Sequence, residues 1–385
     1  MKKYIIVICI FFEILTLMAS DVIEIPAYYN SKEGRLYVYG EFAGKNGYFI
    51  LDTGSDTSII FDDENNYKNF NKNVEYEKID ILNMSLKNLK CSTTKIKFGG
   101  TELKGNYTFH VTDNPLLIDY FSDNIKGILG LNIFYGKIFE ISIHDGFIKI
   151  YNEKPDYYTN SFPILSTSHK VTVPINIDNY SYEALIDTGS YDFINLPSSD
   201  IFYKNKGLID VYVIQDTSHI HNKNFSFLKK ERVELMGVIL KDKIFKTHRH
   251  NTIEPIAIIG NKFLCYFNIL IDLKNKNNYR LYYISRIPNE YFSLFTNEEM
   301  NNIGIINVNL NGKNLEIYEV IKNSPAWNAG LRPGTLITEF NSQPILYYNL
   351  EIMKSFLLAP APLKITFIDE DGKEKTVTIK ARKIL

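Results

Sequence analysis

Asp52 and Asp187 each open the tetrapeptide Asp-Thr-Gly-Ser, each follows two apolar residues, and they lie 135 positions apart. A given tripeptide such as Asp-Thr-Gly is expected by chance roughly 0.1 times in a chain of this length. An isolated copy would be an ordinary turn, since Asp and Gly are common turn residues. Two copies with matching flanks are a repeat. Paired carboxylates do general acid and general base work together. Held about 3 Å apart they cannot both ionise cheaply, so one pKa falls, the other rises, and the pair keeps one proton. Such a pair can deprotonate a water, protonate a carbonyl oxygen and then protonate a leaving amine. Those are the proton transfers that amide hydrolysis requires when no covalent intermediate forms.

The neighbouring residues fit that task. Gly54 and Gly189 lack a Cβ and let two loops approach closely, while the hydroxyls of Thr53 and Thr188 are able to tie such loops together. The repeat also extends well beyond the two tetrapeptides. Thr57-Ser58-Ile59-Ile60 follows the first Asp and Phe193-Ile194-Asn195-Leu196 the second. Phe98-Gly99-Gly100-Thr101 returns as Leu235-Met236-Gly237-Val238, and Ile128-Leu129-Gly130 as Ile258-Ile259-Gly260. Each copy then runs into an apolar strand pair. In the first, Ile141, Ile143, Phe147, Ile148 and Ile150 flank Asp145-Gly146, a dipeptide suited to a tight hairpin turn. In the second, Lys274 to Asn278 fill the turn position. Short alternating runs and few long helical patterns predict two duplicated all-β lobes, at residues 21–155 and 156–286.

Apolar-apolar-Asp-Thr-Gly-Ser twice, each followed about 70 to 80 positions on by apolar-apolar-Gly, resembles the pepsin and retropepsin superfamily of aspartic proteases over about residues 35–285. The resemblance implies an all-β, bilobal aspartic-protease fold of two homologous β-barrel-like lobes and aspartic-type endopeptidase activity on a polypeptide substrate. It makes Asp52 and Asp187 the catalytic dyad around a lytic water, and Thr53 and Thr188 the interlocking hydroxyls. Gly54 and Gly189 become the close-approach positions of the active-site loops, and Ser55 and Ser190 hydrogen-bond partners of the carboxylates. It implies no cofactor and no metal. Each half is nearer in length to a retropepsin subunit than to a pepsin lobe, and the chain resembles a fused retropepsin dimer. A flap covers the peptide in such enzymes, and position alone assigns it to the residues between Phe61 and Asn88. The alternative is a catalytically silent peptide-binding or scaffold protein that uses the same cleft.

After a linker at 287–300, residues 301–385 follow a different pattern and resemble a PDZ domain, a small α+β fold. The matching residues are Ile303-Gly304-Ile305, Val320 to Ala326, Ala329-Gly330-Leu331-Arg332-Pro333-Gly334, Asn341, and two closing strands around Asp371-Gly372. Ser324-Pro325-Ala326 reads as a helix start, with Ser capping and Pro at the first helical position, and Gly330 as its end. Thr335 stands where the family usually has Asp. By the resemblance, Gly304, Ile305 and Ile306 line a site where a peptide C-terminus adds to a sheet edge, for substrate docking or regulation.

The 385 residues are 45% hydrophobic and 14% aromatic, which excludes a disordered chain, and the 27 Tyr and 25 Phe suit β-structure. A net charge of −1 gives no reason to propose nucleic acid as a partner. Lys2 and Lys3, the apolar run to Met18, and Ala19-Ser20 read as a signal peptide over residues 1–20, interrupted by Glu13. An exported monomer, periplasmic or extracellular, is therefore expected, with membrane attachment only if that segment stays uncleaved. Cys91 and Cys265 would remain after cleavage, and two buried thiols are the plain reading. His219/His221 and His248/His250 have a spacing that zinc sites use, but no Cys or carboxylate completes a set, and they read as polar loop residues.

Overall fold

A computed structural model describes residues 22–31, 33–42, 45–61, 79–81, 84–86, 90–112, 121, 124–165, 170–197, 209–213, 225–248, 256–288, 291–292, 301–348, 352–353, 356–357, 361–369 and 371–383. The signal-peptide segment, His219, His221, His250, the side chain of His248 and the Ile306 side chain lie outside this description. Of the segment assigned to a flap, Ile79–Ile81 and Met84–Leu86 are described, and they pair as an antiparallel hairpin. The described chain is largely β-stranded, as its alternating patterns predict, and Asn261–Leu264 and Pro325–Asn328 are single helical turns.

Packing divides the chain into two units. The first holds residues up to 175, 182–194 and 257–288; the second holds 176–181, 195–256 and 289–385. The sequence repeat is thus not the unit of packing: both Asp-Thr-Gly-Ser loops fall in the first unit.

Within the first unit, the strand Lys45–Leu51 leads into Asp52 and pairs in parallel with Ile125–Leu129, while Ser58–Phe61 leaves the loop and pairs in parallel with Thr101–Thr112. The second loop is entered in the same way, because Ala184 to Ile186 pair in parallel with Ala257–Ile259. Six antiparallel strands lie beneath. Their order is Ser161–Pro163, Arg280–Ser285, Phe267–Asp272, Ile138–Ser142, Phe147–Tyr151 and Ile23–Asn30. The two closing hairpins of the repeat therefore meet at its centre, where Glu140 faces Leu270. The hairpin expected at Asp145-Gly146 is present. Arg35–Phe42 pairs with both Lys45–Leu51 and Lys90–Phe98, closing the strands around the first loop into a six-stranded barrel filled by phenylalanines: the Phe42 ring centroid lies 4.1 Å from Phe49, 5.4 Å from Phe98 and 5.6 Å from Phe109. Each such ring adds about 1.5–3 kcal/mol relative to leaving it in water. Cys265 carries a free thiol.

In the second unit, Phe225–Leu235 and Val238–His248 form the long hairpin that corresponds to Lys90–Phe98 and Thr101–Thr112 of the first copy. Both hairpins turn through two residues of positive φ, Gly99 (53°) with Gly100 (86°) and Met236 (50°) with Gly237 (73°), the geometry that matches the twist of paired strands. The strand Ile209–Val213 lies between Phe225–Leu235 on one side and Asn314–Ile321 on the other, antiparallel to both. The hairpin sheet therefore continues directly into the C-terminal region. That region has its own core, in which Ile303, Leu315, Ile337, Phe340, Ile365 and Phe367 are all buried.

Candidate functional site

The two Asp-Thr-Gly-Ser loops meet and interlock. The Thr53 N–H donates to Thr188 Oγ1 (3.0 Å) and the Thr188 N–H to Thr53 Oγ1 (3.1 Å). Each hydroxyl then donates into the strand behind the opposite loop, Thr53 Oγ1 to the Ile186 carbonyl (2.7 Å) and Thr188 Oγ1 to the Leu51 carbonyl (2.8 Å). Both threonines are buried, so these four bonds lie out of competition with water. Each loop is also held from behind. Asp52 N–H donates to Leu129 O and Asp187 N–H to Ile259 O, and Leu131 and Asn261 N–H groups donate to Ser55 O and Ser190 O. Gly130 and Gly260 permit this approach. A Cβ on the former would lie 2.3 Å from the Thr57 carbonyl oxygen, and one on the latter 2.2 Å from that of Asp192.

This framework brings the two carboxyl groups into contact. A Cβ on Gly54 would lie 2.7 Å from Asp187 Cγ, and one on Gly189 2.6 Å from Asp52 Cγ, so each glycine makes room for the opposite carboxyl. The Gly54 N–H donates to Asp52 Oδ1 (2.9 Å) and the Gly189 N–H to Asp187 Oδ1 (2.8 Å). The Ser55 and Ser190 N–H groups donate to the backbone carbonyls of Asp52 (3.3 Å) and Asp187 (3.2 Å) and, lying beside the carboxyls, favour their ionised forms. The Ser55 hydroxyl instead donates to the Thr57 carbonyl, and the Ser190 hydroxyl accepts from the Asp192 N–H.

Two carboxyl groups held this close cannot both ionise cheaply, so the pair is suited to keep one proton. Burial pushes Asp187 well above the usual carboxylate range, and the negative charge and hydrogen bond of Asp52 push it further. Asp52 is also raised by burial, but the hydrogen bond from Asp187, the N–H groups of Gly54 and Ser55, and the positive charge of Arg35 all favour its ionised form. Both carboxyls are raised, Asp187 the more strongly, which favours a single proton held by the pair.

Two residues of this site escaped the sequence reading. Arg35, on the strand Arg35–Phe42, places its guanidinium 4.8 Å from the Phe121 ring and acts on Asp52 through space. Asn261, the first residue of a helical turn, is fully buried and its Nδ2 donates to the carbonyls of Thr188 (2.6 Å) and Gly34 (2.8 Å). Among the described residues no group of three or more His, Cys, Asp or Glu is arranged to hold a metal ion.

The C-terminal region is built as its sequence predicts. Ser324 caps the turn Pro325–Asn328, its hydroxyl accepting from the Trp327 N–H (3.1 Å), and Gly330 follows with φ of 92°. Thr335, where the resemblance leads one to expect Asp, accepts the Arg332 N–H on its hydroxyl (3.0 Å) and closes the turn through Gly334. Gly304, with φ of 95°, gives its carbonyl to the Ile321 N–H, and Ile305 is buried at the start of the strand Ile305–Asn311. Residues 316–366 match the family model described as PDZ domain. The chain thus carries a C-terminal PDZ domain, whose core extends beyond the matched residues to Ile303 and Ile379. Comparison with curated proteins finds no match to the chain.

Proposed function

We propose that this protein is an aspartic-type endopeptidase in which Asp52 and Asp187 activate a water against an internal peptide bond, with the PDZ domain regulating the enzyme or docking substrate. The observation that carries the proposal is the close approach of two carboxyl groups on interlocked loops, each against the glycine of the other's loop. In this reading Asp52, the less strongly raised of the two, is ionised and takes a proton from water as the oxygen attacks the carbonyl carbon, while Asp187 gives its proton to the carbonyl oxygen. As the tetrahedral intermediate collapses and the C–N bond breaks, Asp52 gives its proton to the leaving amine and a hydroxyl of the intermediate returns one to Asp187. The interlocked threonines hold both carboxyls still, so little reorganisation is needed as charge moves. The signal-like N-terminal sequence supports export of this activity.

Cleavage of a diverse peptide library between about pH 3 and 8 tests the reading, because acid and base roles require a bell-shaped profile. Activity is expected to fall on the acid side as Asp52 becomes protonated and on the alkaline side as Asp187 ionises. Absence of cleavage at every pH would leave only peptide binding.

The continuous sheet favours a regulatory PDZ domain over a tethered one. Ile209–Val213 has the PDZ strand Asn314–Ile321 as one of its two neighbours. A chain ended before residue 301 is expected to exchange the 209–213 amides at least about tenfold faster, since each lost ladder bond removes about 1 kcal/mol of protection. Unchanged exchange there would show that the PDZ domain contributes nothing to that strand.

A further inference from the structure

We propose that Asn261 is a positioning residue that sets the Asp187 carboxyl through the Thr188–Gly189 peptide group, making the two halves of the site chemically unequal. The proposal rests on the hydrolytic reading of the carboxyl pair. Asn261 Nδ2 donates to the Thr188 carbonyl at 2.6 Å, and the N–H of that same peptide, on Gly189, donates to Asp187 Oδ1 at 2.8 Å. Both neighbours of the amide are carbonyl oxygens, so its nitrogen must be the atom that faces them. A donor on a peptide carbonyl polarises the amide and strengthens the hydrogen bond given by its N–H, which stabilises the carboxylate receiving it. A single side chain two bonds away from the carboxyl, counted in hydrogen bonds, thereby adjusts its charge.

The first copy lacks this device. Leu131 occupies the matching place, with its N–H on the Ser55 carbonyl at 2.9 Å as Asn261 has its own on Ser190 at 2.9 Å. The Gly54 N–H still reaches Asp52, at 2.9 Å, but no Leu side chain can donate to the carbonyl of that peptide. Buried Leu131 shows that the fold accepts an apolar residue here. The amide of Asn261 is, moreover, incompletely satisfied, because its buried Oδ1 has no hydrogen-bond partner. A buried acceptor without a donor is destabilising, and such a group calls for an explanation other than stability. Its second bond supplies a further constraint. By holding the Gly34 carbonyl, Asn261 fastens the loop of Asp187 to the turn Asn30 to Gly34, where a Cβ on Gly34 would lie 1.6 Å from the Tyr191 ring.

The charged and titratable groups on the surrounding elements include Cys265 and Tyr266 just after the helical turn, and Tyr29, which acts on both and on Tyr191. Asp52 and Asp56 lie on the opposite loop, Arg35 and Tyr37 on the strand after the turn, and Glu33 on the turn itself, paired with the Tyr37 hydroxyl. Tyr191 and Asp192 follow on the loop of Asp187, and Lys262 from the helical turn stands 4.0 Å from the Tyr191 ring. Of these, the charge of Asp52 raises Asp187. The Gly189 N–H opposes that rise, and Asn261 strengthens the opposition.

The test compares wild type, Asn261→Leu and the reciprocal Leu131→Asn. Folding is followed by circular dichroism, the carboxyl pair by carbon-13 titration of labelled Asp, and catalysis by the pH profile of peptide cleavage. In Asn261→Leu the upper pKa of the pair is expected to rise by on the order of half a pH unit, carrying the alkaline limb with it. The kcat is expected to fall about tenfold from lost orientation, with KM changed less than twofold. Leu131→Asn is expected to lower the first pKa of the pair and move the acid limb down. If one variant fails to fold, the other decides. A folded variant whose pair titrates as in wild type overturns the proposal. Wild-type protein that cleaves nothing, with the pair still shifted in Asn261→Leu, would sink the hydrolytic reading and leave the role of Asn261 standing.

Discussion

Asp187→Asn is expected to reduce kcat for peptide cleavage by at least about 10³-fold and, at neutral pH, to stabilise the protein. The two effects have one cause. Burial and the charge of Asp52 hold Asp187 protonated well above the usual carboxylate range, so folding at neutral pH forces a proton onto a group that the unfolded chain would release. A carboxyl whose folded pKa is raised favours the folded state fully below its ordinary value of 3.8. That contribution is lost progressively as pH rises through the folded value. An Asn in its place is neutral in both states and escapes the loss. It also donates a hydrogen bond to Asp52, but it has no proton to give to a carbonyl oxygen, and general acid and base catalysis contributes about 10²–10⁴-fold for a single group. Asp52→Asn is expected to be equally inactive, since an amide cannot deprotonate water. Urea unfolding at about pH 4 and pH 7.5, alongside kcat, separates the predictions. The stability gain of Asp187→Asn over wild type should be larger at the higher pH; equal gains at both would mean that Asp187 titrates normally, whatever the activity shows.

The two carboxylates were legible in the sequence because their constraints are local. A loop that must approach its twin needs Gly where the opposite carboxyl lies, and a hydroxyl beside it to reach across; both requirements fall within four consecutive residues. The hairpin turn at Asp145-Gly146 and the cap at Ser324 were legible for the same reason, since each is a conformation imposed on one or two residues. Arg35 and Asn261 were not. Their partners, Asp52 and Thr188, are reached through space, and nothing in the spacing of Asn261 distinguishes it from Leu131, which does the same backbone work in the first copy. The join between Ile209–Val213 and the PDZ strand was equally hidden, because ladder hydrogen bonds come from the backbone and carry little record of which strand they will meet. Packing likewise grouped both loops in one unit, against the division drawn by the repeat, because the closing hairpins pair with each other and hydrogen bonding ignores the boundary between copies.

Gly54→Ala and Gly189→Ala are expected to separate the carboxyl pair while leaving each half folded, lowering kcat by about 10²-fold or more. The new methyl groups would stand 2.7 Å from Asp187 Cγ and 2.6 Å from Asp52 Cγ. A Cβ fixed to the backbone has no rotamer by which to withdraw, so the opposite carboxyl must turn aside or its loop must shift. Four buried hydrogen bonds through Thr53 and Thr188 resist the movement, and the carboxyl contact is where the displacement is taken up. Misplacement of reacting groups by about 1 Å costs on the order of 10²-fold. The direction of the pH effect distinguishes this cause from a general loss of stability. With Asp52 moved off, the charge that raises Asp187 weakens, its pKa falls, and the alkaline limb of the activity profile moves to lower pH. Gly136→Ala supplies the contrast. Gly136 has φ of 75° with nothing within 4 Å of an added Cβ, so Ala there is strained in its backbone and costs about 1 kcal/mol of stability without touching the pair. If Gly54→Ala kept kcat within twofold and the alkaline limb unmoved, contact between the carboxyls would be unnecessary for cleavage, and a mechanism in which one proton is held between them would fail.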